Sequence, residues 1–443
     1  FRGGSYRAAV MDVLGAALKA ADPYLAVRSA LESHPGLSES NGSKGKGRVF
    51  VLGAGKAGAA MARAAEETFG ERIAEGLVVV KDGHTDTGGE PLRQVQLTEA
   101  SHPLPDSRGI EAAGRLLDIG ARAGEDDLVV CLISGGGSAL LTSPAEGIGL
   151  EEVQATTRLL LRSGATINEL NAVRKHLSRV AGGLLARAAA PAQVVSLILS
   201  DVTGSPLDVI ASGPTAPDTT TFGHALDVLG RYGLTTEVPP VVLSRLQSGA
   251  AGEIEETPKP GDALFSRVVN IIVASNVIAV EAAEMRAREI GLATAIVSTF
   301  VEGEAREVGN VLAAAAREVA LFDRPVARPG CLLFGGETTV TVRGEGVGGR
   351  NTELALSAAQ GLEGLGNGTL VASLATDGGD GCAPCGGGLV DGTTIDRGRA
   401  LGLDPFAYLA ANDSFSYLDR TGDTIKIGPT GTNVNDVMAV FVF

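Results

Sequence analysis

The stretch Arg48-Val49-Phe50-Val51-Leu52-Gly53-Ala54-Gly55-Lys56-Ala57-Gly58 runs from an apolar segment through a glycine loop into a helical pattern. A strand that turns through glycines into a helix is the unit from which α/β folds are built. The alternation continues downstream. Strands are expected at Val49–Leu52, Leu77–Val80, Leu128–Ile133 and Val194–Leu199, with helices near Ala57–Thr68, Ser107–Ala123, Leu150–Ser163 and Ile167–Ala189. This pattern predicts a mainly parallel, Rossmann-like sheet.

Upstream, amphipathic helices are expected at Tyr6–Ala21 and Pro23–Ser33, before a solvated Gly- and Ser-rich loop, Gly36–Gly47. The region Thr235–Asp262, rich in Pro, Gly, Thr and Ser around one short helix, reads as a domain junction. A second series then follows. Its strands are expected at Val269–Ala274, Ala293–Val297, Gly330–Phe334, Thr338–Val342, Thr369–Ala375 and Val437–Phe443, and its helices at Asn276–Ile290, Glu304–Leu321 and Asn351–Gln360. A chain of 443 residues is too long for one core, so the expectation is two α/β domains, 1–240 and 241–443.

Apolar residues make up 44% of the chain and charged residues 20%, ordinary for a globular protein. The formal charge of −15 argues against nucleic acid or an anionic membrane as partner. No apolar run reaches the roughly 18 residues of a membrane span. Only 4 cysteines in so long a chain suggest a reducing compartment. The expectation is the cytoplasm, or an organelle if a targeting peptide preceded Phe1. Cys382 and Cys385 have CxxC spacing but lack a second pair or a redox context, and read as a loop variation.

The chemistry sits in the loops. Gly53–Gly58 matches GxGxxG between a strand and a helix, and reads as a backbone nest that attracts anions. Lys56 inside it suits a phosphate or carboxylate site better than a dinucleotide; the bland alternative is a tight turn with an exposed Lys. In Ser134-Gly135-Gly136-Gly137-Ser138, three glycines let backbone N–H groups converge on an oxyanion. A nucleophilic Ser would need a His base, and the spacing of the five His nominates none. Asn171, Arg174 and Lys175 share a helix, as a binding face or a solvated one. Asp201 closes a strand where a carboxylate could hold Mg²⁺ through water, and Ser212-Gly213-Pro214-Thr215 is a further polar turn.

In the second half, Gly336-Glu337 follows a strand and Arg350 opens a helix as a bidentate clamp for carboxylate or phosphate. Asp377 and Asp380 close another strand. The run Gly428-Pro429-Thr430-Gly431-Thr432-Asn433-Val434-Asn435-Asp436 sets hydroxyls and amides, among them Thr432, Asn433 and Asn435, on a turn before an apolar strand. Cations, carboxylates and N–H-rich turns together suit phosphoryl transfer, where positioning and electrostatics dominate.

The order Gly-Ala-Gly-Lys-Ala, Ser101-His102-Pro103-Leu104-Pro105-Asp106, Ser-Gly-Gly-Gly-Ser-Ala-Leu, Ile210-Ala211-Ser212-Gly213-Pro214-Thr215, Gly-Gly-Glu-Thr-Thr, Gly-Gly-Arg-Asn, Ala-Thr-Asp-Gly and the Gly428–Asp436 run resembles the class II glycerate 2-kinases, the family with a MOFRL C-terminal domain. The likeness spans nearly the whole chain. It implies two α/β domains, with the active site in the cleft between them. It also implies phosphorylation of D-glycerate at O2 with ATP and Mg²⁺, giving 2-phosphoglycerate. Lys56 and Arg350 match the family's functional Lys and Arg. Lys56 is then expected to neutralise the transferring phosphoryl group. Gly55, Ser134–Ser138, Asn171, Arg174, Thr432, Asn433 and Asn435 are expected around substrate or phosphate. Ser212–Thr215, Gly336 and Glu337 are expected at the nucleotide, Asp201 at the metal, and Asp377, with Glu337 its rival, as the base. The partners expected are D-glycerate and ATP, for a monomer or homodimer. The chain departs from the family pattern at Ser205, Thr352 and Asp380–Cys385. The rival reading is an NAD(P)-dependent reductase of hydroxypyruvate or tartronate semialdehyde, which GxGxxG supports.

Overall fold

The computed structural model describes residues 6–34 and 47–443. Apart from Gly47, the loop Gly36–Gly47 lies outside them. The chain divides into two compact units, one Pro23–Val273, the other the described residues up to Asp22 together with Ala274–Phe443. This division falls beyond the Thr235–Asp262 junction and the 240/241 boundary read from the sequence, because one more strand belongs to the first sheet and the N-terminal helix to the second unit.

The Pro23–Val273 unit holds β1 (Val49–Ala54), β2 (Ile73–Lys81), β3 (Val95–Ala100), β4 (Leu128–Ile133), β5 (Gln193–Leu199) and β6 (Val268–Ala274), in the order β3-β2-β1-β4-β5-β6. The pairs β2–β3, β1–β2, β1–β4 and β4–β5 are parallel. β1 is buried along its whole length, as a sheet covered on both faces requires. On one face Phe50, Leu52, Leu77, Cys131 and Ile133 pack with Ala112, Ala113 and Leu116 of the helix Ser107–Gly120. Asp106 caps that helix by accepting from Gly109 N–H. A separate apolar cluster joins the helices Ile167–His176, Phe222–Arg231 and Pro240–Ala250 through Leu170, Phe222 and Leu246.

The other unit holds β7 (Ala293–Val301), β8 (Gly330–Gly336), β9 (Gly366–Ala375), β10 (Gly387–Gly392), β11 (Thr424–Ile425) and β12 (Asp436–Val442), in the order β11-β10-β9-β12-β8-β7. Only β7–β8 is parallel among these pairs; β12 runs antiparallel to both β8 and β9. The helices Ala305–Phe322 and Arg350–Leu362 share a core with Phe334, Val371, Met438 and Val440. The helix Tyr6–Ala20 buries Val10, Val13, Leu14 and Ala17, and the Tyr6 ring stacks on Phe443 at 4.6 Å.

Several elements differ from the sequence reading. β6 ends the first sheet instead of opening the second. The expected helix Ile167–Ala189 breaks after His176, and Gly182 and Gly183, at φ 60° and 83°, start a short helix Leu184–Ala189. Thr338–Val342 forms no strand. Its backbone bonds go instead to a loop: Thr341 N–H donates to the Glu304 carboxylate, and Thr339 N–H to Gly303 C=O. β3 and β10 show no strand pattern in the sequence. β3 is half polar, and β10 carries Gly387, Gly388 and Gly392; a Cβ on Gly388 would lie 2.6 Å from the Ala355 methyl.

Close helix packing yields a paired prediction. A Cβ on Gly309 would stand 2.4 Å from the Leu354 carbonyl, which cannot retreat, whereas among the described residues nothing lies within 4 Å of one on Gly15. Gly309→Ala should destabilise by about 1–3 kcal/mol. Gly15→Ala, in the helix Tyr6–Ala20, should stabilise by about 0.5–1 kcal/mol. Urea midpoints of the two variants should move in opposite directions.

Candidate active site

The loops after β1 and β4 are zipped together. Gly55 N–H donates to Val79 C=O at 3.0 Å, Lys56 N–H to Gly135 C=O at 2.9 Å, and Gly58 N–H to Gly55 C=O at 3.1 Å. Ala57 N–H donates to the Ser134 hydroxyl at 3.1 Å. A Cβ on Gly55 would lie 2.0 Å from that hydroxyl oxygen, so only glycine permits the approach. The expectation of an anion nest at Gly53–Gly58 is therefore corrected: its N–H groups from Gly55 to Gly58 are engaged inside the protein. Ser134 is buried and ties the two loops.

The second loop is the open one. Among the described residues, the N–H groups of Gly135, Gly136 and Ser138 have no acceptor. Gly136, at φ 87°, turns the backbone there. Positions where side chains would stand show what walls the loop. A Cβ on Gly135 would lie 2.1 Å from Asp201 Oδ2. One on Gly136 would lie 3.2 Å from His102 Nε2 and 3.4 Å from Lys56 Cγ, and one on Gly137 2.7 Å from the Ala211 methyl. Burial first, then the charge of Lys56, lowers the His102 pKa below its ordinary value, so the ring is neutral at neutral pH. The Lys56 ammonium has no hydrogen-bond or ion-pair partner among the described residues.

A cavity of about 460 Å³ opens beside this loop, lined in part by His102, Gly136–Ser138, Asn171, Arg174, Asp201 and Ser212. A hydroxyl relay fixes one wall. Ser212 donates to Asn171 Oδ1 at 3.1 Å, so Ser138 must donate to Ser212, 2.9 Å away. Among the described residues, that leaves the buried Asn171 Nδ2 with no partner. A buried unpaired donor costs about 1–3 kcal/mol, the kind of cost a bound acceptor removes. One turn on, the Arg174 guanidinium has no partner among the described residues, and burial lowers its pKa. Lys175 points elsewhere. It is buried between Asp208 and Asp218, each 3.2 Å away.

Of the expected nucleotide residues in this unit, only Ser212 lines the cavity. Thr215 is buried between Ser196 and Asn270, Pro214 C=O accepts from Leu185 and Ala186, and Gly213 C=O from Gly183. The turn itself is left-handed at non-glycine positions, Ala211 at φ 50° and Ser212 at φ 60°. Such backbone costs roughly 1–2 kcal/mol per residue.

In the other unit, the β12 register sets Asp436 opposite both Gly336 and Ala375. Glu337, Asp377 and Arg350 thus gather at one sheet end. Arg350 Nε and Nη2 hold the buried Asp436 carboxylate at 2.5 and 2.8 Å, and Nη1 lies 3.2 Å from the exposed Glu337. Burial opposes the charge on Arg350, but its bonds to Asp436 raise its pKa above the ordinary value. Asp380 is buried and caps the helix by accepting from Asn351 and Thr352 N–H. Asp377 is exposed, its carboxylate accepting from Gly379 N–H. Thr432 is buried and donates to Ala21 C=O at 2.6 Å. Asn433 Oδ1 accepts from Asn435 N–H, and Asn435, at φ 67°, offers its carbonyl to Thr376. The last three residues thus carry the shape of the C-terminal loop.

The open nest, Lys56, Arg174 and the orphan amide of Asn171 fit the phosphates of a nucleotide. Among the described residues no group of three or more His, Cys, Asp or Glu could hold a metal ion. Asp201 beside the nest fits Mg²⁺ of the kind shared between one carboxylate and phosphate oxygens. His102 also stands at the nest, although nothing in its sequence position besides its motif marks it: it follows β3, a strand too polar to show an apolar pattern. No helix among the described residues is long and apolar enough to cross a membrane.

Comparison with known proteins places this geometry in a lineage. Residues 9–247 match the model described as a domain of unknown function, DUF4147, and residues 330–436 match the MOFRL family. The chain is 45% identical to D-glycerate 2-kinase of Thermotoga maritima, over 88% of this chain and 90% of that protein. An Agrobacterium vitis protein bearing a provisional hydroxypyruvate reductase name is 42% identical over 99% of this chain and 95% of its own. The crystal structure of the Thermotoga maritima glycerate kinase superposes with a TM-score of 0.89 at 41% identity, covering 98% of this chain and 99% of that one. With two α/β units, the SGGGS nest and these relatives in agreement, the chain belongs to the glycerate 2-kinase family.

Proposed function

We propose that this protein transfers the terminal phosphoryl group of ATP to the 2-hydroxyl of D-glycerate, giving 2-phosphoglycerate and ADP, as a monomer or homodimer in the cytoplasm. The observation that carries this reading is the nest at Gly135–Ser138. Its open N–H groups stand beside a lysine, Lys56, that has no counter-ion among the described residues. Fixed donors aimed at charge that develops during reaction are the strongest lever a protein has on phosphoryl transfer.

The hydroxyl oxygen attacks the terminal phosphorus, the bond to the bridging oxygen of ADP breaks, and the hydroxyl proton passes to a carboxylate. Asp377 is the base in this reading, with Glu337 its rival. The nest and Lys56 hold the phosphoryl oxygens, and Arg174 with the Asn171 amide holds oxygens further along the donor. Arg350 takes the acceptor's carboxylate. Its Nε edge is locked by buried Asp436, while its Nη1 edge meets, among the described residues, only the exposed Glu337, a contact worth little and easily exchanged. Asp201 is the residue that would hold Mg²⁺, whose charge would offset that of the phosphate oxygens. A dinucleotide reductase is disfavoured by the Gly55–Gly58 loop, whose N–H groups have no bond left for a pyrophosphate.

The test is a coupled assay. ADP release should require D-glycerate and Mg²⁺, and the product should feed an enolase-coupled readout. NADH oxidation with hydroxypyruvate, and no ADP release, would overturn the reading. Lys56→Ala should lower kcat about 100-fold or more with a small change in KM, because the contact strengthens in the transition state. Thr432→Val should instead lower stability by about 1 kcal/mol and leave both KM values in place, since its hydroxyl serves Ala21. A raised KM for either substrate would return Thr432 to the binding site.

A further inference from the structure

The cavity beside the nest is larger and more apolar than a three-carbon acid needs. At about 460 Å³ it falls in the range of pockets for much larger ligands. Part of its polar lining belongs to the nest and its neighbours, Gly136–Ser138, Asn171, Arg174 and Asp201, with Ser138 linked to Asn171 through Ser212. Other walls come from the turn Pro103-Leu104-Pro105, from Leu141, and from Val153, Leu161 and Ile167. Leu104, Leu161 and Ile167 are 56%, 61% and 56% exposed, although each lines this one recess. Large apolar side chains left in water around a single concavity mark a binding surface for something apolar.

The recess also carries a small polar code. Gln154 and Thr157 lie three residues apart on the helix Leu150–Arg162, hence on one face, and both line the cavity. Gln154 Nε2 donates to the Pro105 carbonyl at 3.0 Å. A carbonyl can only accept, so the amide orientation is set and Oε1 is left for another donor. Among the described residues neither Gln154 Oε1 nor the Thr157 hydroxyl has a hydrogen-bond partner. One acceptor and one hydroxyl in an apolar slot match the edge of a flat heterocycle with an exocyclic amine next to a ring nitrogen. Adenine has that edge.

We propose that this recess seats the adenine ring of the phosphoryl donor, with the triphosphate leading from it to the Gly135–Ser138 nest. The proposal rests on the kinase reading above and adds to it a base-recognition subsite. That subsite consists of Leu104, Val153, Gln154, Thr157, Leu161 and Ile167. It lies away from Gly213, Pro214 and Thr215, whose groups brace the fold.

Binding and kinetics test it together. Leu161→Ser removes an exposed apolar wall, and Thr157→Trp fills the slot from a half-buried position, so both variants should fold. Isothermal calorimetry should show ADP binding weakened about tenfold or more in each, while inorganic tripolyphosphate, which has no base, binds as to the unaltered protein. The KM for ATP should rise in step and the KM for D-glycerate should not. Gln154→Leu should erase the preference for ATP over inosine triphosphate, which lacks the amine. Unchanged ADP binding, equal weakening of tripolyphosphate, or a rise confined to the D-glycerate KM would each overturn the proposal. Should the unaltered protein bind ADP yet release none with D-glycerate, the acceptor assignment fails, and the calorimetry still decides the base site.

Discussion

The contact between the ends of β1 and β4 is the constraint on which the site depends. Two loops whose backbones approach this closely cannot both present their N–H groups to a ligand. The Gly55–Gly58 loop donates inward, to Val79, Gly135, the Ser134 hydroxyl and its own turn. The Gly135–Ser138 loop, held from behind by those bonds, keeps the N–H groups of Gly135, Gly136 and Ser138 open among the described residues. Each bond adds about 1 kcal/mol at most to stability. Their larger effect is to fix the open donors before a ligand arrives, which removes an ordering cost from binding.

A similar division of labour runs through the rest of the molecule. Asn171 and Arg174 face the cavity from the helix Ile167–His176, while Lys175 anchors that helix from behind through two aspartates. Removing one partner of such a buried pair costs about 3–5 kcal/mol, so the anchor is firm. Around Arg350, one guanidinium edge is held by a buried carboxylate and the other meets an exposed one. In each case a buried, fully bonded layer orients a neighbour whose bonds are left incomplete.

Much of the fold could be read along the chain. β1, β4 and β5 are apolar runs that the sheet buries almost completely. The failures share a cause. β3 is too polar, β10 too rich in glycine, and Thr338–Val342 looks like a strand but bonds to a loop, because in each case a neighbour distant in sequence sets the conformation. Of the site, the sequence carried the residue types and the loops. That Gly136, Ser138, Asn171, Arg174 and Asp201 line one cavity, with Gly135 against Asp201, while Gly213, Pro214, Thr215 and Thr432 turn their polar groups into the frame, is a matter of the fold.

The sequence by itself determined the alternation of strand, glycine turn and helix, and the residue types gathered at strand ends. Those follow from local backbone freedom and from apolar periodicity, which are properties of neighbours in the chain. Only the tertiary structure decided which donors stay open. Hydrogen bonding is a matter of pairing. Whether Lys56 N–H or Gly136 N–H is free depends on what a segment some 80 residues away brings within 3 Å of it.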